Sequence, residues 1–322
     1  MPAGPRPYTL YTAIPGDLAM PLAHAPDTGN TVIAEPARVV FPDAGFTRAD
    51  VAGYYRRVAP QLLADIAGRP LSLLRCPDGL AGECFFQRHP EPGWDATVHR
   101  FEPASENGRP ATCVYIDDVR GLLELVRLGV LELHVWGSTA RMPDRPERAV
   151  FDLDPGEGVA WTQVVGAARE IRAALARRGL RSFVRLTGGK GVHVVLPFAP
   201  GPDWATVKAF SQSLARQLVA AHPERYVASA SKHLREGRIF IDWLRKVRGA
   251  SSIAKWSLRA RPGAPVAMPL HWRELGVTRS GADYPLPRAL RRIDRLRRSP
   301  WEGWTDASRQ RLPPACAAPQ AD

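Results

Sequence analysis

The stretch Val150-Phe151-Asp152-Leu153-Asp154-Pro155-Gly156 constrains the fold of this chain more than any other. Carboxylates alternate with apolar residues and then meet a Pro-Gly break. As a strand, the alternation puts Asp152 and Asp154 on one face and Phe151 and Leu153 on the other. The fold must bury one side of this strand and gather two like charges on the other. Neighbouring carboxylates repel unless cations lie between them. Hard divalent ions such as Mg²⁺ and Mn²⁺ favour such oxygen ligands. A solvated strand end followed by a turn explains an isolated D-x-D at least as well, so the rest of the chain has to decide.

Its 322 residues suffice for one large domain or two closely joined subdomains. A hydrophobic content of 45% excludes a disordered chain. The net charge of +12 favours nucleic acid or another polyanion as partner, although an Arg-rich proteome gives the same excess. Cys76, Cys84, Cys113 and Cys316 are scattered, with no C-x-x-C pair and no zinc spacing. They read as ordinary thiols in a reducing cytosol. Neither a signal-peptide pattern nor an apolar run near membrane-spanning length is present, which places the chain in the cytoplasm.

Residues 1–30 are rich in Pro, Gly and Ala and read as a loose arm. Thr47, with Asp50 three residues on, marks a helix start. Val51, Tyr54, Tyr55, Val58 and Leu62 continue it at helical spacing, and Pro60 is expected to kink or split it. Further helices are predicted after Asp118, over 159–178 and over 203–221. Strands are predicted at 70–75, 112–116, 131–136, 183–186, 193–196 and 239–243. Residues 288–298 read as a heavily basic helix. Hairpins mixed with flanking helices point to an α+β fold with mostly antiparallel sheets. One domain is expected over 31–310, with a tail at 311–322.

Three further groups carry chemistry. Thr187-Gly188-Gly189-Lys190-Gly191 joins two strands with three glycines and one ammonium. Such a backbone can approach an anion closely, and its amides can face it. Triphosphate suits it, though the Walker spacing is absent, and a plain hairpin tip has the same composition. His193 would add a second phosphate donor, or simply pack. Asp242 ends an apolar strand as Asp154 does and would supply a third metal ligand; Arg245, Lys246 and Arg248 follow it. Arg259 and Arg261 alternate on an expected strand, so both would face phosphate.

This order, D-x-D, Gly-rich Lys/His hairpin, strand-end Asp, then Arg, resembles the polymerase domain of bacterial DNA ligase D in the archaeo-eukaryotic primase superfamily. The stretches that carry the resemblance are FDLDPGEG, VRLTGGKGVHVVLPF, IFIDWLRKVRGA and SLRARPGAPVAMPLHW, preceded by RVVFPDAGFTRADVAGYYRRVAP, RPLSLLRCPDGLAGECFFQRH and LELHVWGS. They span roughly residues 37 to 300. The resemblance implies a primase-polymerase-like catalytic core over about 130–270, behind an N-terminal part that holds DNA ends. That core would extend or fill DNA ends and gaps in non-homologous end joining, with ribonucleotides accepted. It implies that Asp152, Asp154 and Asp242 hold two ions, Mn²⁺ or Mg²⁺. It assigns nucleotide binding to Thr187, Lys190, Gly191, His193 and Arg259, with His134 close by. Arg38 and Arg48 match positions that bind a DNA 5′-phosphate. Phe85 and Phe86 match an aromatic pair that stacks on template bases, although burial of at least one is expected. The implied partners are NTP or dNTP, DNA ends, the end-binding protein Ku and a separate DNA ligase, since no K-x-D-G signature is present. A monomer at the bacterial nucleoid is expected. Lys246 stands where the family usually has Asn, Lys255-Trp256 where it has Pro-Tyr, and Glu35-Pro36-Ala37 replaces a more polar run. A non-catalytic end-binding module and a metal-dependent nuclease are the alternatives.

Overall fold

A computed structural model describes residues 32–103, 112–229, 231–244 and 246–313. The N-terminal arm, Arg245, Cys316 and the tail beyond 313 lie outside the described residues.

The first elements among the described residues are a small hairpin, β1 (Val39–Phe41) and β2 (Phe46–Thr47), which feeds α1 (Arg48–Ile66). Thr47 and Asp50 form a reciprocal capping box there. Pro60 does not split the helix: α1 runs through it for 19 residues. Pro60 is exposed, so the carbonyl that loses its N–H partner faces water, while the opposite side of the helix is buried.

Next come β3 (Leu71–Arg75), β4 (Phe85–Gln87), β5 (His99–Phe101) and β6 (Cys113–Tyr115). Then α2 (Val119–Arg127), capped by Asp118, leads to β7 (Val130–Trp136) and β8 (Arg148–Pro155). They are followed by α3 (Trp161–Ala176), β9 (Phe183–Leu186), β10 (Val192–Pro197), α4 (Trp204–Ala221), β11 (Tyr226–Val227) and β12 (Ile239–Asp242). The last elements are β13 (Ser251–Ile253), β14 (Pro269–Leu270), α5 (Leu286–Arg295) and α6 (Trp304–Ala307).

These strands form two main sheets. The first has the order β13-β7-β3-β6-β5, with β4 also on β3; the second has the order β11-β12-β8-β10-β9-β14. All pairs in both are antiparallel except β11 with β12. This is the α+β, mostly antiparallel architecture that the hairpin pattern predicts. One face of the second sheet is covered by α3 and α4, and Phe151 and Leu153 are fully buried there. Helix α1 bridges the sheets: Tyr55 Oη donates to the Leu131 carbonyl of β7, and Asp65 accepts from Arg148 of β8.

Two cysteines are not the ordinary thiols the sequence suggests. Arg75 opposes Phe85 across β3 and β4, so the next position outward sets Cys76 against Cys84. Antiparallel non-bonded pairs come to about 4.5 Å; these Cα atoms lie 4.4 Å apart and the sulfurs are joined in a disulfide. Cys113 is free and buried.

Candidate active site

Strand register builds the site. Asp152 on the central strand β8 is directly opposite Asp242 of β12 on one side and His193 of β10 on the other. His193 is in turn opposite Arg185 of β9. Directly opposed residues share a face with Cβ atoms about 4.5–5.5 Å apart. Four strands thus present a row of Arg185, His193, Asp152 and Asp242, and Asp154 joins that face two residues along β8. The acids line a cavity of ≈ 260 Å³ between the two sheets. The second sheet contributes the acids and the Thr187–Gly191 hairpin; the first contributes His134 of β7 and Ser252 of β13. Every nucleotide-site residue named from sequence lines this cavity: Thr187, Lys190, Gly191, His193, Arg259 and His134.

The hairpin holds its own shape. Thr187 Oγ1 accepts from the amides of Gly189 and Gly191, both at 3.2 Å, and donates to the Gly191 carbonyl at 3.0 Å. Gly188 donates its N–H to Gly281 at 2.9 Å. The Gly189 and Gly191 amides are therefore satisfied within the loop and the Gly188 amide by Gly281, rather than aimed outward as the expected amide cradle requires. Charge toward an anion comes from the exposed Lys190 and from Arg259 and Arg261, which line the same cavity. Gly191 is obligatory for steric reasons, because a Cβ there would meet the Leu153 carbonyl oxygen at 2.3 Å.

Arg259 and Arg261 do not alternate on a strand. The extended pairing around the Leu258–Val266 bridge ends where the Arg259 N–H donates to the Pro265 carbonyl, and Arg261 then folds back, its N–H donating to the Arg259 carbonyl. Side-chain bonding sets their direction instead. Arg259 donates to the Thr187 carbonyl at 2.6 Å and pairs with Glu132 at 3.0 Å. Glu132, which no sequence motif singled out, is 3% exposed and also binds His134 Nε2 at 2.8 Å and the Ala260 amide. Burial opposes its ionisation, yet the His134 hydrogen bond and the Arg259 charge bring its pKa down to about 2. Glu132 thereby aims two side chains into the cavity.

His193 is held in one tautomer. Arg185 Nε donates to its Nδ1 at 3.1 Å, so Nε2 carries the proton and faces Asp152 Oδ1 at 3.3 Å. Burial pushes its pKa down to about 4, against the pull of Asp152, so the ring is neutral at pH 7. Behind this row lies Asp65 of α1, 2% exposed. It accepts from Arg148 at 2.6 Å and from the Lys255 amide at 3.2 Å, and Arg185 Nη1 lies 3.9 Å away. Burial alone would raise its pKa; Arg148, Lys255, Arg185 and Arg69 together hold it well below the usual carboxylate range. Asp65 thus ties the sheets together beneath the acids. Its role was invisible in sequence, as was that of Arg235, which pairs with Asp154 at 2.9 Å and stacks on Phe240.

Three carboxylates on one face are the donor set that hard divalent ions take. Asp154 is 44% exposed and Asp152 25%, open to such an ion, while Asp242 is 2% exposed and accepts from the Leu244 amide. Among the described residues, no three acidic, His or Cys side chains already converge at metal-binding distance. The donor chemistry fits hard divalent cations once the Arg235 and His193 contacts yield.

The remaining sequence candidates cluster elsewhere. Arg38 pairs with Glu35 and Asp78; Arg48 reaches Glu35 and the carbonyls of Ala34 and Pro77. Neither lines the acidic cavity. The Cys76–Cys84 bridge fixes Pro77 beside them and Phe85 beside itself. Both rings are exposed, 38% for Phe85 and 63% for Phe86, so the expected burial of one does not occur. Strand β4 is an outlying strand with little packed over it. Phe86 lies edge-to-face with His134 at 5.2 Å, at the mouth of the cavity.

Known proteins resemble most of this chain. A family profile described as LigD, primase-polymerase domain, matches residues 47–301. A multifunctional non-homologous end joining protein LigD from Pseudomonas aeruginosa is 34% identical over 286 residues, covering 88% of this chain and 34% of that protein. One from Mycolicibacterium smegmatis is 34% identical over 250 residues, covering 76% and 32%. The chain thus spans about a third of the length of these curated relatives. A solved structure, the polymerase domain of Mycobacterium tuberculosis ligase D in complex with DNA, superposes with a TM-score of 0.76 at 31% identity, covering 82% of this chain and 94% of that one.

Proposed function

The chain belongs to the LigD primase-polymerase family, and from that premise we propose that it is a divalent-metal-dependent nucleotidyltransferase that extends or fills DNA ends and gaps in non-homologous end joining. The observation that carries the reading is the register that sets Asp242 opposite Asp152, with Asp154 on the same face, in one cavity with the Thr187–Gly191 hairpin.

Asp152, Asp154 and Asp242 would hold two ions, Mn²⁺ or Mg²⁺, which when bound neutralise developing charge and favour ionisation of the attacking hydroxyl. Lys190, Arg259 and Arg261 place positive charge where a triphosphate enters, and Glu132 fixes the direction of Arg259 and His134. Thr187 keeps the hairpin closed behind the phosphates. His193, neutral and with its tautomer set, donates from Nε2. The exposed Phe86, edge-to-face with His134, offers a flat face to unpaired template bases at the cavity mouth, a contact indifferent to sequence, and the exposed Phe85, on the other face of β4 beside Arg75, is the second stacking candidate. Arg38 and Arg48 are the candidates for a DNA 5′-phosphate, which would compete with Glu35 and Asp78 for their guanidinium groups. Residues 31–310 act as one unit, with Ku and a separate DNA ligase as partners at the bacterial nucleoid. Among the described residues, no helix is long and apolar enough to cross a membrane.

Primer extension on a gapped duplex with Mn²⁺, comparing NTPs with dNTPs, tests this. Wild type should lengthen the primer, and a folded Asp152→Ala/Asp154→Ala variant should not. Equal incorporation by both would refute the reading, and a shortened primer would favour the nuclease alternative.

A further inference from the structure

Residues 271–302 carry eight arginines against four acids. Helix α5 sorts them. Leu286, Ala289 and Ile293 are buried, while Arg288, Arg291, Arg292 and Arg295 repeat at i, i+3, i+4 and i+7 on another face. With Arg273 and Arg297 they line a groove of ≈ 850 Å³, separate from the acidic cavity. Arg288 is matched by Asp283 and Arg292 by Glu274. Among the described residues, Arg273, Arg291, Arg295 and Arg297 form no ion pair, and all four are exposed. Like charges at i, i+3 and i+4 destabilise a helix by about 0.2–0.5 kcal/mol per pair. The helix dipole favours Arg292 and Arg295 in the last turn, but it does not account for Arg273, Arg291 or Arg297. A bound polyanion would.

The groove's chemistry narrows the polyanion. Planar guanidinium groups suit phosphate. None of the exposed large apolar side chains lines the groove, so it lacks what a membrane-docking face inserts. Its tyrosine, Tyr284, is buried beneath the guanidinium groups of Arg288 and Arg292, so no ring is offered for stacking on single-stranded bases. The groove is also close to the proposed chemistry. Tyr284 lines it, and three residues earlier Gly281 packs against the carbonyls of Gly189 and Gly191 in the phosphate hairpin. Groove and cavity lie on the two sides of one short segment.

We propose that this arginine groove is a second DNA-binding site, one that holds the phosphate backbone of the duplex flanking the end being extended. It reads no sequence and works through charge alone. The proposal rests on the reading of the chain as a DNA-end enzyme, so its test must be separable from activity.

The variant is Arg291→Ala/Arg295→Ala/Arg297→Ala, whose members are exposed and outside the catalytic cavity, so that it keeps the wild-type fold. Binding to a blunt duplex of about 30 base pairs, and to a single strand of equal length, is measured between roughly 50 and 200 mM salt. The slope of log K against log[salt] for the duplex should fall by about 0.9 for each phosphate no longer neutralised by an arginine. Duplex affinity at low salt should fall at least tenfold, with a smaller loss on the single strand. The corresponding triple Arg→Lys variant should keep the slope. Primer extension on a substrate whose duplex is too short to reach the groove should be unchanged. An unaltered duplex slope would overturn the proposal. So would an equal loss on the single strand, or a loss on phosphatidylserine vesicles with duplex binding intact. A wild type that fails to extend any primer while the slope still falls would sink the polymerase reading and leave the groove standing.

Discussion

Glu132→Gln probes the arrangement that aims Arg259 and His134, and its effect can be worked from the structure. The carboxylate is 3% exposed and touches His134, Arg259 and the Ala260 amide. Its pKa of about 2 compares with an ordinary 4.5. At about 1.4 kcal/mol per pH unit, the difference corresponds to about 3 kcal/mol of folding stability, net of the burial penalty. Because the folded pKa is depressed, that contribution is complete above the unfolded value and is lost as pH falls through the folded one. It should be whole above about pH 5 and fade toward about pH 2. Gln has the shape of the protonated acid, so substitution and acid should remove the same energy. Urea unfolding should therefore show a variant deficit of about 3 kcal/mol at pH 7, narrowing to about 2 kcal/mol at pH 3.5. At the site, Arg259 is deprived of a charged partner, an interaction of about 1.5–3 kcal/mol. KM for the nucleotide should rise about tenfold or more, with a smaller change in kcat. A deficit under about 0.5 kcal/mol at pH 7, the level of an ordinary surface change, would refute the reasoning. So would a deficit that does not narrow with acid.

Two further substitutions probe the hairpin and the cavity mouth. Gly191→Ala forces a Cβ to 2.3 Å from the Leu153 carbonyl oxygen, so thermal unfolding should show a loss of about 1–3 kcal/mol; an unchanged Tm would mean the hairpin opens freely. Phe86→Ala should leave stability nearly unaltered, since the ring is 63% exposed, while weakening binding of a single-stranded template overhang by about 1–3 kcal/mol per base stacked. Equal binding by variant and wild type would remove Phe86 from the template contact.

Local pattern in the sequence determined much of this protein. Period-two alternation separated Asp152 and Asp154 from Phe151 and Leu153. Thr47 and Asp50 marked the start of α1, Asp118 and Asp203 capped α2 and α4, and glycines marked the Thr187–Gly191 hairpin. Each signal acts within a few residues, where backbone sterics and side-chain spacing are fixed by chain geometry alone. Tertiary structure decided what stands beside what. Asp242 belongs with Asp152 only because β12 pairs with β8 in one register, and a slip of one residue would turn it to the other face. The Cys76–Cys84 bridge depends in the same way on the pairing of β3 with β4. Glu132 reaches Ala260 across 128 residues of chain, and Asp65 reaches Arg148 across 83 and Lys255 across 190. No periodicity encodes such partners. They are chosen when burial of the apolar faces brings the two sheets and α1 together and each buried charge must find its opposite there.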